Sequence, residues 1–81
     1  MVKTLQETVE LMNSSDYKDR FKAEYYQLAY RIEKLHDMVE NWNDLSFDPI
    51  CDKVWYIKQL YAMNEYKDIL EMRAEKEDIE L

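Results

Sequence analysis

Apolar side chains recur at Phe21, Tyr25, Leu28, Ile32, Leu35, Val39 and Trp42, an unbroken 4-3-4-3-4-3 spacing. That repeat keeps one seam of a helix facing a neighbouring helix, whereas a half-buried strand needs alternation at every second residue. The spacing predicts a helix over about residues 15–43. At ~1.5 Å per residue it would run roughly 40 Å, long enough to demand a partner of similar length. Nothing favours sheet: the 81 residues include no glycine and one proline, the two residue types on which tight strand connections depend most. The expected class is all-α.

Two further helices follow from caps and periods. Thr4 and Glu7 match a capping box, and Leu5, Val9 and Met12 fall at i, i+4, i+7, so a short helix is expected over about 4–12. Asn13-Ser14-Ser15 then interrupts the pattern and supplies the next cap, with Asp16 in the first turn, where the helix dipole favours negative charge. Asp48-Pro49 reads as a cap followed by a proline at the first helical position, so the third helix is expected over about 49–77. Acids crowd its end, EMRAEKEDIEL, and oppose the dipole, so fraying is expected there. The expectation is one domain over 1–81: a long antiparallel hairpin with a short N-terminal helix.

At ~100° per residue the third helix carries two apolar stripes. Tyr56, Met63, Tyr66 and Leu70 share one face with Gln59, while Ile50, Val54, Ile57 and Tyr61 lie nearly opposite. On the second helix, Tyr26 and Tyr30 point away from the heptad seam. A hairpin buries one face of each helix, and contiguous apolar surface left in water marks an interface. The expectation is a homo-oligomer packed through Tyr26, Tyr30, Ile50, Val54, Ile57 and Tyr61. The competing reading is a monomeric three-helix bundle in which the first helix covers both patches.

Charge and composition exclude several functions. A net charge of −7 repels the phosphate backbone of DNA or RNA, although a local basic pocket can still hold a small anion. The single Cys51 cannot form an internal disulfide, and MVKTLQETVELM lacks a signal-like apolar run, so a cytoplasmic protein without a membrane span is expected. Without glycine there is no phosphate-cradling loop. Cys51, in the expected first turn of the third helix, has Asp48 and Asp52 beside it, which oppose a lowered thiol pKa. His36 has Glu33 and Glu40 within a helical turn, a pattern read here as surface charge rather than a metal site. No catalytic residue, metal or cofactor is expected.

Basic residues on the flank of the second helix remain. Arg20, Gln27, Arg31 and Lys34 lie along it with Glu24 between them, and the plain reading pairs Arg20 with Glu24 and Gln27 with Arg31 at i, i+4. Alternatively, flanks from two copies face each other, and arginine forks converge with tyrosine rings, a chemistry suited to phosphates and stacked bases.

Two stretches carry a resemblance. DRFKAEYYQLAYRIEKL, with Arg20, Glu24-Tyr25, Leu28, Arg31 and Lys34-Leu35, resembles the first-helix signature of a family of small helical phage proteins found in tailed phages, including crAss-like phages. QLYAMNEYKDILEMR, with Gln59, Met63, Tyr66, Ile69-Leu70 and Arg73, resembles its second signature. The family is related to the phage anti-CBASS sponges. The resemblance implies a hairpin assembled into a homohexamer that sequesters cyclic di- or trinucleotide signals without cleaving them, in the cytoplasm of the infected host. It also implies a ligand contact at Tyr25, while Glu40 stands where the sponges carry a basic residue that helps hold phosphate.

Together these readings make Arg20, Tyr25, Arg31 and Lys34 the expected ligand contacts of a sponge for a cyclic or adenine-containing nucleotide signal. The alternative is a helical protein–protein interaction module without a nucleotide ligand, docking through its exposed aromatic stripes.

Overall fold

The computed structural model describes residues 5–81, and within them every regular element is helical. Thr4, half of the expected capping box, lies outside the described residues. The chain opens with a 3-10 turn, Gln6–Thr8, that runs directly into α1 (Val9–Met12). Two long helices follow, α2 (Tyr17–Glu40) and α3 (Lys53–Glu77), folded back on each other as an antiparallel hairpin. The result is an elongated body of 42 × 24 × 20 Å.

Local hydrogen bonds set each boundary. Asp16 is the N-cap of α2 rather than a first-turn residue: its Oδ1 accepts from the Lys18 N–H at 2.9 Å, while Ser14 Oγ accepts from Asp16 N–H and donates to Asp19 Oδ2. The helix stops at Glu40, short of 43, where Asn41 Nδ2 donates to the Asp37 carbonyl at 2.8 Å. That side chain competes for a helical acceptor, and the chain tightens into a second 3-10 turn, Trp42–Asp44. The third helix begins at Lys53, beyond the expected Pro49. Asp52 is the extended N-cap whose carbonyl accepts the Trp55 N–H at 3.1 Å. Cys51 is therefore exposed ahead of the helix, outside its first turn.

The acidic C-terminus is pinned where fraying is expected. Asp78 takes the left-handed conformation (φ 61°) usually given to glycine, which this chain lacks. Ile79 N–H then reaches the Ala74 carbonyl at 2.8 Å and Asp78 N–H the Glu75 carbonyl at 3.4 Å, the paired bonds of a Schellman motif. Ile79 is buried with Ala74, so an apolar contact seals the helix end.

The core lies at the open end of the hairpin, where Phe21, Leu28, Leu70, Ala74 and Ile79 are buried together, flanked by half-buried Tyr25, Ile32 and Met63. A polar clamp closes the same end. Tyr17 Oη donates to Glu77 Oε1 at 2.9 Å and accepts from Arg73 Nη2 at 2.7 Å, and the Arg73 guanidinium lies 5.0 Å from the Phe21 ring centre. Toward the turn the heptad seam loosens. Leu35 and Val39 are only half-buried, and Trp42 meets Tyr56 at 5.6 Å between ring centres.

The first segment packs on α2. Its Thr8 is fully buried yet satisfied, donating to the Leu5 carbonyl and accepting from Gln27 Nε2 at 3.0 Å. Surplus apolar surface on α2 is thus partly covered: Tyr26 and Tyr30 are half-buried. On α3 it is not. Val54, Trp55, Ile69 and Met72 are exposed, Tyr61 is 74% exposed, and Ile50 in the connecting loop is fully so, while Ile57 is half-buried. No described helix is long and apolar enough to cross a membrane.

Candidate functional site: a cationic groove across the hairpin

Where the seam loosens, a groove of 330 Å³ opens between the two long helices. One wall is α2, which contributes Tyr30, Arg31 and Lys34 together with half-buried Leu35 and Met38. The other is α3, with Gln59 and Met63 one turn apart. The antiparallel register brings these segments opposite each other, as the Tyr25–Glu71 hydrogen bond and the Trp42–Tyr56 ring contact show on either side.

The electrostatics depart from those of the whole chain. Acids outnumber bases 18 to 11 overall, yet two cations and no carboxylate line this groove. Neither Arg31 nor Lys34 is in ion-pairing reach of an acid among the described residues. Lys34 Nζ instead sits 5.4 Å from the centre of the Tyr30 ring, a contact that leaves its three donors available. Arg31 is exposed, with its planar fork uncommitted. The rest of the lining includes apolar and thioether groups, a polarizable surface suited to a flat aromatic ring. The chemistry matches a ligand that is anionic at one end and a heteroaromatic ring at the other.

The structure thus brings Arg31 and Lys34 together and adds Tyr30, which sequence periodicity assigned to an outer interface. Arg20 and Tyr25 are elsewhere. Arg20 donates from Nη1 to the Ser14 carbonyl at 2.9 Å, tying the interhelical break to α2, and not to Glu24. It is ~16 Å along the helix from Arg31. Gln27 likewise serves the first segment, donating to Thr8 Oγ1 and Met12 Sδ rather than pairing with Arg31. Tyr25 is a strut of the hairpin: its hydroxyl donates to Glu71 Oε2 at 2.6 Å and its ring meets Tyr26 edge-on at 5.4 Å. Burial, followed by the hydrogen bond to Glu71, pushes its phenol up to about 12.

Gln59, Met38 and Met63 escaped assignment to a site. The available signal was the shared face of Gln59 and Met63 on the third helix, which identifies residues facing the partner but not what they face. A second hollow of 240 Å³ is lined by His36, Val39 and, from α3, Ile57, Leu60, Tyr61 and Asn64. Nearby, His36, Asp37 and Glu40 place one potential ligand atom each within 4.8 Å of one another, all three residues exposed, with His36 Nε2 at 3.7 Å from Glu40 Oε1. Two carboxylates make that spot unsuited to phosphate.

The family model named Sequestin matches residues 15–76, from the cap of α2 through α3 almost to its end. The chain belongs to the Sequestin family. This is a phage family that sequesters nucleotide signals, and its members are binders rather than enzymes. No curated protein and no solved structure matches the chain. The Sequestin match takes in the whole hairpin and both walls of the groove, and leaves out the first helical segment and the pinned tail.

Proposed function

We propose that this Sequestin-family protein blocks host anti-phage defence by holding a cyclic di- or trinucleotide, or a related small adenine nucleotide, in the groove between α2 and α3. The observation that carries this reading is the pairing of Arg31 and Lys34, free of carboxylates, beside an aromatic and thioether surface. Phosphate oxygens take the arginine fork and the lysine ammonium, and a base lies against Tyr30 and the methionines. Holding the nucleotide without cleaving it accords with the family, whose members are non-enzymatic binders. Because the groove is open, a high-affinity site calls for a second wall. In a homo-oligomer, a hexamer by resemblance, the apolar faces at Ile50, Val54, Ile57 and Tyr61, with Tyr26 and Tyr30, supply the contacts. Arg20 and Tyr25 join such a site only from a neighbouring copy.

Calorimetric titration with cyclic di- and trinucleotides and cyclised ADP-ribose species tests the proposal. Saturable heat with at least one of them is expected, and Arg31→Ala with Lys34→Ala is expected to weaken it at least tenfold without changing helicity. Absence of heat and of thermal stabilisation across the panel refutes it. A second reading rests on the exposure of Trp55 and Tyr61: a helical module that docks onto a protein. One stoichiometric partner recovered from host lysate, lost with Tyr61→Ala, favours that reading.

A further inference from the structure

Opposite the two cations, the side-chain amide of Gln59 makes no hydrogen bond among the described residues, whereas the amide nitrogen of Gln27 donates to Thr8 Oγ1 and Met12 Sδ. We infer that Gln59 reads the base of the bound nucleotide and selects adenine over guanine. The inference rests on the nucleotide-binding reading of the same groove.

Both cations stand on α2, so a phosphate held by Arg31 and Lys34 directs the attached base across the groove toward α3. There Gln59 offers one donor, Nε2–H, and one acceptor, Oε1, side by side. Adenine presents the complementary pair on its N6 and N7 edge, a donor beside an acceptor, and both bonds form at once. Guanine presents two acceptors, O6 and N7, on the same edge, so Oε1 meets an acceptor and one bond is lost. Met63, one turn further along α3, offers the base an apolar, polarizable surface beside the amide.

The experiment titrates the full chain with the adenine-only and guanine-only members of the cyclic di- and trinucleotide series. The same titrations use Gln59→Leu, which keeps the bulk, and Gln59→Arg, which presents donors only. Gln59 is exposed, so neither change disturbs the core. The wild type is expected to favour adenine at least about tenfold, Gln59→Leu to lose the preference, and Gln59→Arg to turn it toward guanine. Binding of both series without preference, or a wild-type preference that survives Gln59→Leu, overturns the base-reading role while leaving nucleotide binding intact. No binding of either series overturns both.

Discussion

Removing one hydroxyl tests whether Tyr25 is a strut of the hairpin. Tyr25→Phe deletes the bond to Glu71 Oε2, 2.6 Å long and joining residues 46 apart in sequence, and leaves the ring packed against the core. The raised phenol, from 10.0 to about 12, gives an upper limit. At ~1.36 kcal/mol per unit, a two-unit shift corresponds to roughly 2.7 kcal/mol. Glu71 is exposed and Tyr25 only half-buried, so solvent screening reduces this to ~1 kcal/mol, the usual net worth of such a bond. For a chain of this size that lowers the thermal midpoint by ~4–8 °C at neutral pH.

The same shift fixes a pH dependence. A folded-state pKa above the unfolded one means that the native chain holds its proton more tightly, so this stabilisation is complete below about pH 10. It fades as the pH rises from there toward about 12, the native value. The gap between wild type and Tyr25→Phe, followed by circular dichroism melts from about pH 8 upward, therefore narrows through that window. Comparing the two proteins cancels the other tyrosines, Tyr17 included, whose hydrogen bond to Glu77 also raises its pKa. A difference below about 1 °C at neutral pH, or a gap unchanged toward pH 12, refutes the strut.

Three other outcomes follow from the packing. Leu70→Ala removes a side chain with 0% exposure and is expected to cost ~2–5 kcal/mol, whereas Ile69→Ala next to it, 53% exposed, costs ~0.5 kcal/mol or less; urea midpoints separate them. Asp16→Ala removes the cap on the Lys18 N–H and is expected to cost ~1 kcal/mol in the same assay. Light scattering of the wild type is expected to give a multiple of 10.0 kDa, and Ile50→Ser with Tyr61→Ser to shift it toward the single chain; a 10.0 kDa wild type at micromolar concentration refutes the oligomer.

How far the site was legible differs residue by residue. Arg31 and Lys34 stood out in the sequence as flanking cations of the second helix, and the resemblance placed them in a signature stretch. Nothing local distinguished them from Arg20, whose guanidinium the structure spends on the Ser14 carbonyl. Tyr30 looked like an outward patch because its angle was measured from the heptad seam, while the loosening of that seam near Leu35 lets it border the groove. Tyr25 carried both an apolar-seam reading and a ligand reading, and the partner that distinguishes them, Glu71, lies on the other helix.

Helicity, the 4-3 seam and the need for a long antiparallel partner were properties of the sequence itself, because they depend on backbone freedom and on spacing within one helix. The family's two signatures were legible for the same reason. The groove, the open Gln59 amide, the start of α3 at Lys53 and the pinned tail with Ile79 beneath it were decided by the tertiary structure. Each depends on how two helices are rotated and shifted against one another. A periodic pattern states which face is buried, but not which side chain stands opposite it.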